Sequence, residues 1–398
     1  MEEALFQNYT RLLDATDSTH YRYLYNEIDW DNRLIGITGS RGTGKTTMIL
    51  QHIKATFADR RKALYVSLDN IWFTKNSLLE LADEFYAFGG THLFIDEVHR
   101  YPNWSIEIKN IYDSYPALHI VFTGSSILEI YKSNADLSRR AISYHLYGLS
   151  FREFLNFETG LDFPVLTLDE ILTNHMNLVS PVTTKIKVLP MLKKYFEYGY
   201  YPFYKEGIKS YGMRLQNVVN TILDNDLPSV ENVEYQTIIK IKKMLMIISS
   251  LVPFSPNLTS LSAEIETNRV SAIKYLGYLQ KVGLIKMLLS SGSGMSLMNK
   301  PEKIYLDNTN LIYALAVSNV NEGNARETFF ANQCSVTHKV TASKQGDFVI
   351  DDKYTFEVGG RNKTFAQIKN LENSFIAMDG IETGFGNKIP LWLFGFTY

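Results

Sequence analysis

Gly39-Ser40-Arg41-Gly42-Thr43-Gly44-Lys45-Thr46 constrains this chain more than any other stretch of it. The apolar run Leu34-Ile35-Gly36-Ile37 precedes it and Met48-Ile49-Leu50-Gln51-His52-Ile53 follows, which predicts a buried strand, a glycine-rich loop and a helix in succession. Glycines at 39, 42 and 44 permit backbone conformations closed to other residues, so that successive N–H groups converge on phosphate oxygens at a helix N-terminus. Lys45 is placed to reach β- and γ-phosphates, and the Thr46 hydroxyl to ligate Mg²⁺. Gly39, Ser40, Arg41, Gly42, Thr43, Gly44, Lys45, Thr46 and Thr47 are therefore the expected nucleotide-binding set. A chance glycine-rich turn would lack the flanking strand and helix.

A phosphate loop needs a second strand that ends in a carboxylate. Thr91-His92-Leu93-Phe94-Ile95-Asp96-Glu97 supplies one. Asp96 is placed to hold Mg²⁺ and Glu97 to orient or deprotonate an attacking water, although two acids here would also cap a helix near Trp104. A third strand, His119-Ile120-Val121-Phe122-Thr123, ends in Gly124-Ser125-Ser126. Further on, Arg139-Arg140 precede the strand-like Ser143 to Leu146, where they could neutralise a transferring phosphate or make ordinary surface ion pairs. The Asn-Lys-x-Asp run by which GTPases read guanine is missing, since the three Asn-Lys pairs continue as Pro301-Glu302, Thr364-Phe365 and Ile389-Pro390. ATP is the expected nucleotide.

At 398 residues the chain is longer than one core supports, so two to four domains are expected. A net charge of -2 excludes a protein coated in basic charge, and any nucleic-acid contact must be local. The lone Cys334 cannot form an internal disulfide. Met-Glu-Glu-Ala-Leu-Phe-Gln has neither the basic region nor the apolar core of a signal peptide, and no apolar run is long enough to span a bilayer. A reduced, cytoplasmic protein without membrane partners is expected.

Trp104 to Lys109, Phe122-Thr123-Gly124-Ser125-Ser126 and Leu149-Ser150-Phe151-Arg152-Glu153-Phe154 go beyond a generic phosphate loop. Together they resemble a large prokaryotic family of AAA-type ATPases that join an N-terminal ATPase to a C-terminal domain of uncharacterised role. The resemblance covers almost the whole chain and implies ATP binding and hydrolysis. In AAA+ ATPases a polar residue at the tip of the strand beside the Asp-Glu strand senses the γ-phosphate. Ser125 is the choice here, with Thr123 and Ser126 as rivals, and the same serines would suit capping of a helix from Ile127 to Tyr131. The family carries Gly-Arg where this chain has Arg139-Arg140, so Arg140 inherits the arginine-finger role.

After Phe157 the sequence turns helical, with Leu168 to Val179, Met191 to Glu197 and Arg214 to Leu223 as expected helices and Tyr198 to Phe203 as an aromatic turn that packs inward. Ile238 to Leu251, Asn257 to Ile265 and Val270 to Leu279, with the exit Val282 to Ile285, form the pattern of a winged helix with Arg269 to Lys281 in the recognition place. Gln236 to Ser290 carries seven basic residues against two acids, Glu264 and Glu266, an excess that suits duplex DNA; winged helices also serve as protein-contact modules or spacers. In the resembling family the tail looks like a restriction-endonuclease core. Glu327, Asp347 and Glu357 match its metal-binding acids as a vestigial site, while Gly359 stands where a lysine is needed and Lys363 could replace it only by folding back.

The reading is therefore α/β: a P-loop ATPase domain with a parallel sheet over 1–155, a helical lid or linker over 156–235, a winged helix over 236–300, and a small α/β endonuclease-like domain over 301–398, expected inactive. Lys45, Glu97, Ser125 and Arg140 are the expected catalytic residues, Thr46 and Asp96 the Mg²⁺ ligands, and ATP-driven conformational switching the function. An unknown protein client is expected, and a homo-oligomer if Arg140 acts in trans. The alternatives are a DNA-binding regulator in which ATP only controls shape, and a metal-dependent DNA nuclease.

Overall fold

The computed structural model describes residues 3–124, 137, 139–231, 233–251, 257–290, 301–316 and 320–398. Two compact units divide the chain. The first comprises Met1–Gly148 with Thr221–Val233, and the second comprises Leu149–Asn220 with Glu234–Tyr398. The first unit thus ends earlier than the expected boundary at 155 and regains a short segment that lies far on in the sequence.

In the first unit, β1 (Leu34–Thr38), β2 (Ala63–Ser67), β3 (His92–Asp96), β4 (His119–Gly124) and β5 (Ile142–His145) form one sheet in the order β2-β3-β4-β1-β5. Every pairing is parallel. Near-continuous apolar runs make this possible, because a parallel sheet covered by crossover helices is buried on both faces. β2 was not among the strands expected from sequence; its Ala-Leu-Tyr-Val is almost wholly buried. Helices Lys45–Thr56, Leu78–Ala87 and Trp104–Ser114 carry the chain between strands. Helix Glu3–Ala15 adds Leu5, Tyr9 and Leu13, one turn apart, to the same core. The carboxyl ends of all the strands, among them Thr38, Asp96 and Gly124, fall at one edge of this sheet, where ligands of open α/β sheets bind.

One position in β1 is crowded by a ring from the neighbouring strand. A Cβ on Gly36 would sit 2.7 Å from Phe122 Cζ on the paired strand β4, so the missing side chain is the space that the Phe122 ring fills.

The second unit begins with helix Phe151–Thr159, which Ser150 and Glu153 start by capping each other's backbone N–H reciprocally. Thr167 and Glu170 do the same for Leu168–Thr183. Phe151, Tyr195 and Phe329 meet edge to face in its core, and Tyr200 and Tyr201 of the aromatic turn are buried. Helices Tyr235–Leu251, Leu258–Glu264 and Arg269–Lys281 are followed by β6 (Ile285–Leu288), which pairs antiparallel with β7 (Lys303–Leu306). The partner of β6 therefore comes from beyond residue 300, where the sequence reading placed a boundary. The tail forms a mixed sheet of β8 (Val340–Ala342), β9 (Phe348–Ile350), β10 (Tyr354–Gly359), β11 (Ser374–Met378) and β12 (Lys388–Pro390), with helix Glu322–Cys334 before it. Among the described residues no helix is long and apolar enough to cross a membrane.

Gly36→Ala is expected to destabilise the protein by about 1–3 kcal/mol through overpacking against Phe122. A chemical-denaturation midpoint measured by tryptophan fluorescence should fall accordingly, and an unchanged midpoint would show that the ring has room to move.

Candidate functional site

The phosphate loop is built by backbone constraints before any side chain acts. Gly39 has φ 147°, and a Cβ there would lie 2.3 Å from the Leu146 carbonyl oxygen, so no other residue fits. Gly42 and Gly44 also have positive φ, and Gly44 is the N-cap of helix Lys45–Thr56. Buried Arg22 clamps the loop from outside: its guanidinium donates to Thr43 O, to Tyr147 O at 2.8 Å and to Gly148 O at 2.9 Å. Nothing near Arg22 in the sequence marks it, because its partners lie 21 to 126 residues away. Inside the loop Thr43 Oγ1 donates to Ser40 O at 2.9 Å, while Thr47 is exposed on the helix.

Lys45 is buried and folded onto its own loop, donating to Gly39 O at 2.8 Å and Ser40 O at 3.0 Å. Burial holds its pKa below the ordinary lysine value, against the pull of Glu97 and Asp96. Asp96 lies at the carboxyl end of β3, 2% exposed, and its carboxylate accepts from four donors. Thr46 Oγ1 donates at 2.6 Å, Tyr65 OH from β2 at 2.8 Å, Thr123 Oγ1 from β4, and the Glu97 N–H at 3.1 Å. Burial and then the adjacent Asp96 push the Tyr65 phenol far above its usual pKa, so it remains a donor. Thr123, a rival for the sensor role, is thus engaged at Asp96; Ser125 and Ser126 lie outside the described residues.

Two hard oxygen groups, the Thr46 hydroxyl and the Asp96 carboxylate, meet beside a lysine at the mouth of a phosphate loop. That donor set fits Mg²⁺, which takes one or two protein oxygens and completes its shell with water and substrate phosphates.

Glu97 follows with φ 53°, a left-handed conformation that costs a residue with a side chain roughly 1–3 kcal/mol. Its N–H is held by Asp96 and, at 3.4 Å, by Thr123 Oγ1. Beyond it stand groups that sequence reasoning missed. His99 has Nδ1 3.4 Å from Glu97 Oε2 and Nε2 3.7 Å from Asp226 Oδ1. Asp226 also accepts from Arg100 at 2.8 Å and from the loop residue Arg41 at 3.5 Å. Burial works against the Asp226 carboxylate, yet His99, Arg41 and Arg100 outweigh it and hold its pKa below the usual range. Arg140, the expected finger, makes a two-point ion pair with Asp113, each contact 3.0 Å, while Arg139 is exposed.

The tail acids also gather, as lysine-paired carboxylates. Lys303 Nζ lies 3.5 Å from Glu327 and 3.2 Å from Asp347, and Tyr305 OH donates to Glu327 at 2.7 Å. Lys363 folds back across Gly359, its side-chain carbons 2.7 to 2.9 Å from where a Cβ would be, and its ammonium reaches Glu357 at 2.5 Å. Burial first, and mutual repulsion through Asp347 second, raise the pKa of Glu327; Glu357 is likewise raised, chiefly by burial. The expected vestigial metal site thus has lysine ammonium groups among its carboxylates. Among the described residues no group of three or more His, Cys, Asp or Glu side chains is arranged to hold a metal ion.

Residues 31–155 match the AAA domain family. With the five-stranded parallel sheet and the phosphate loop, that match makes this stretch a P-loop domain of AAA type, a nucleotide-binding fold. An uncharacterized protein of Methanocaldococcus jannaschii is 26% identical over 297 residues, a match spanning 71% of this chain and 62% of the relative. The chain thus spans about three-fifths of that relative's length. Among solved structures, AMPPCP-bound DnaA of Aquifex aeolicus is similar at 14% identity over 71% of this chain and 89% of its own, with a TM-score of 0.27. PCH-2 of C. elegans is similar at 19% identity over 38% of this chain and 44% of its own, with a TM-score of 0.26. Likeness at that level fixes neither fold nor function for the whole chain.

Lys303→Met is expected to cost about 3 kcal/mol, because it leaves two partly buried carboxylates facing each other without their cation. Thermal unfolding should show the loss, and it should shrink when Glu327→Gln is added.

Proposed function

We propose that the first unit binds ATP with Mg²⁺ at the phosphate loop and hydrolyses it, and that turnover switches the conformation of the chain. The observation that carries this reading is the joint of Thr46 and Asp96 at 2.6 Å, with Glu97 held beside it in a strained backbone. The AAA domain match supports it. Bound Mg²⁺ would supply positive charge to the β- and γ-phosphate oxygens and align them for in-line displacement.

The chain's own residues account for the rest. The loop N–H groups of 39–44 and the start of helix Lys45–Thr56 face the phosphates. Lys45 exchanges the carbonyl oxygens of Gly39 and Ser40 for phosphate oxygens, and Thr46 and Asp96 are the residues that would hold the metal. Glu97 takes a proton from the water whose oxygen attacks the γ-phosphorus. The bond from that phosphorus to the bridging oxygen breaks, and ADP leaves with that electron pair. Arg140 joins only by giving up Asp113, which makes the finger role conditional on a rearrangement within the chain or on a neighbouring copy. The sensor role of Ser125, implied by the resemblance to AAA+ ATPases, belongs to this proposal.

A second reading is favoured by one observation. Helix Arg269–Lys281 carries Arg269, Val270 and Lys274 exposed along its first turns, within a segment of net positive charge. In this reading the helical segment contacts duplex DNA as a winged helix, and ATP sets the shape of the chain. For the nuclease reading, Lys363 does fold back onto Glu357 as that alternative requires, but among the described residues no three carboxylates gather to hold a metal ion.

In a phosphate-release assay with Mg²⁺, Glu97→Gln is expected to lower turnover by at least about a hundredfold while ATP still binds. Equal turnover in wild type and variant would remove Glu97 from the mechanism. For the second reading, duplex affinity should fall as salt rises, and Arg269→Ala with Lys274→Ala should reduce the slope of log K against log salt by about 2. Absence of duplex binding at low salt would end that reading.

A further inference from the structure

The hydrolysis site contains a carboxylate that reaches it from a distant part of the sequence. The chain leaves the first unit after Gly148 and returns to it only for 221–233 before completing the second unit. Within that short return lies a π-helical turn, Ile222–Asp226, and Asp226 is its last residue. A π turn adds a residue to the helical cycle and redirects the side chains that follow it, a distortion that persists mostly where function requires it. Here the redirected side chain is 3% exposed and ends among His99, Arg100 and Arg41.

His99 is the link between Asp226 and the water-activating acid. Its side chain is fully buried in the turn Val98–Arg100, two residues after Glu97, and its two ring nitrogens face two different carboxylates. This ring spans Glu97 on one edge and Asp226 on the other. Glu97 needs such a brace: its backbone is fixed by Asp96 and Thr123, but its carboxylate stands at the end of three rotatable bonds and is 19% exposed. A general base must hold its direction, since a misplacement of about 1 Å costs roughly a hundredfold in rate.

We propose that Asp226 and His99 are positioning residues that hold the Glu97 carboxylate in the direction of the attacking water, so that the segment 221–233 is part of the hydrolysis site. The proposal rests on the hydrolysis reading given above. Asp226 fixes the orientation of the imidazole, with Arg100 holding the carboxylate from the side, and the imidazole fixes Glu97. Because the return segment is joined at both ends to chain of the second unit, a displacement of Asp226 along the chain releases Glu97 together with the side chain of Arg41, while the bonds of Lys45 and Thr46 involve neither. This gives hydrolysis a control that acts through Glu97.

The test compares full-length wild type, Asp226→Asn, His99→Gln and Glu97→Gln in two assays: ATP turnover and the dissociation constant of a fluorescent ATP analogue. Asp226→Asn and His99→Gln are each expected to lower kcat roughly tenfold to a hundredfold, with the dissociation constant within about threefold of wild type. Combining either with Glu97→Gln should cost nothing beyond Glu97→Gln alone, since all three act through one carboxylate. If one of the two fails to bind nucleotide because it does not fold, the other decides. Unchanged turnover in both, or binding lost in step with turnover in both, overturns the brace while leaving hydrolysis intact. Wild type that binds ATP yet turns it over no faster than Glu97→Gln overturns the hydrolysis reading, and the brace falls with it.

Discussion

The buried carboxylate of Asp96 is the interaction on which the first unit depends. An ionised carboxylate taken out of water costs several kcal/mol unless its oxygens are fully engaged. Four donors engage this one, and they come from four places: Thr46 at the start of the loop helix, Tyr65 on β2, Thr123 on β4 and the N–H of Glu97. Only a sheet with β3 between β2 and β4 brings the two strand donors to one acceptor, and the observed order provides that. The strand order, the burial and the candidate chemistry are thus one constraint seen at three levels.

The groups around Asp96 and in the phosphate loop bond to one another. Thr46 is bonded to Asp96 and Lys45 to the loop carbonyls. Under the proposed function each of those bonds offers a group that phosphate or Mg²⁺ would claim, and binding would be an exchange of partners within that frame. Arg22 and the glycine at 39 keep the frame in place during that exchange, the first by tying Thr43 to Tyr147 and Gly148, the second by leaving room for Leu146.

What was legible in the sequence was what is local in the sequence. The loop 39–46 and the acids 96 and 97 are contiguous runs whose chemistry follows from residue type and spacing, and the structure brings them to one edge of the sheet. Tyr65, Arg22, His99 and Asp226 were not legible, because each acquires its role from a partner set by strand order or by the return of 221–233. Lys303 illustrates the same point in the tail: the acids Glu327, Asp347 and Glu357 can be found as a pattern, but the lysine that pairs with two of them lies on β7, outside the pattern. The run Leu149 to Phe154 drew attention for its likeness to a family; physically it is a helix start, with Ser150 and Glu153 as a capping pair and Arg152 donating to the Tyr398 carbonyl.

The proposal stands or falls on whether Lys45, Thr46 and Asp96 bind phosphate and Mg²⁺. Calorimetric titration of ATP into the purified chain, with Mg²⁺ and again with excess EDTA, tests it most directly. Saturable binding of one ATP per chain is expected, weakening at least about tenfold, or roughly 1.4 kcal/mol, when the metal is removed and lost in Lys45→Ala. Binding that ignores both the metal and Lys45, or no binding by the wild-type chain, would contradict it.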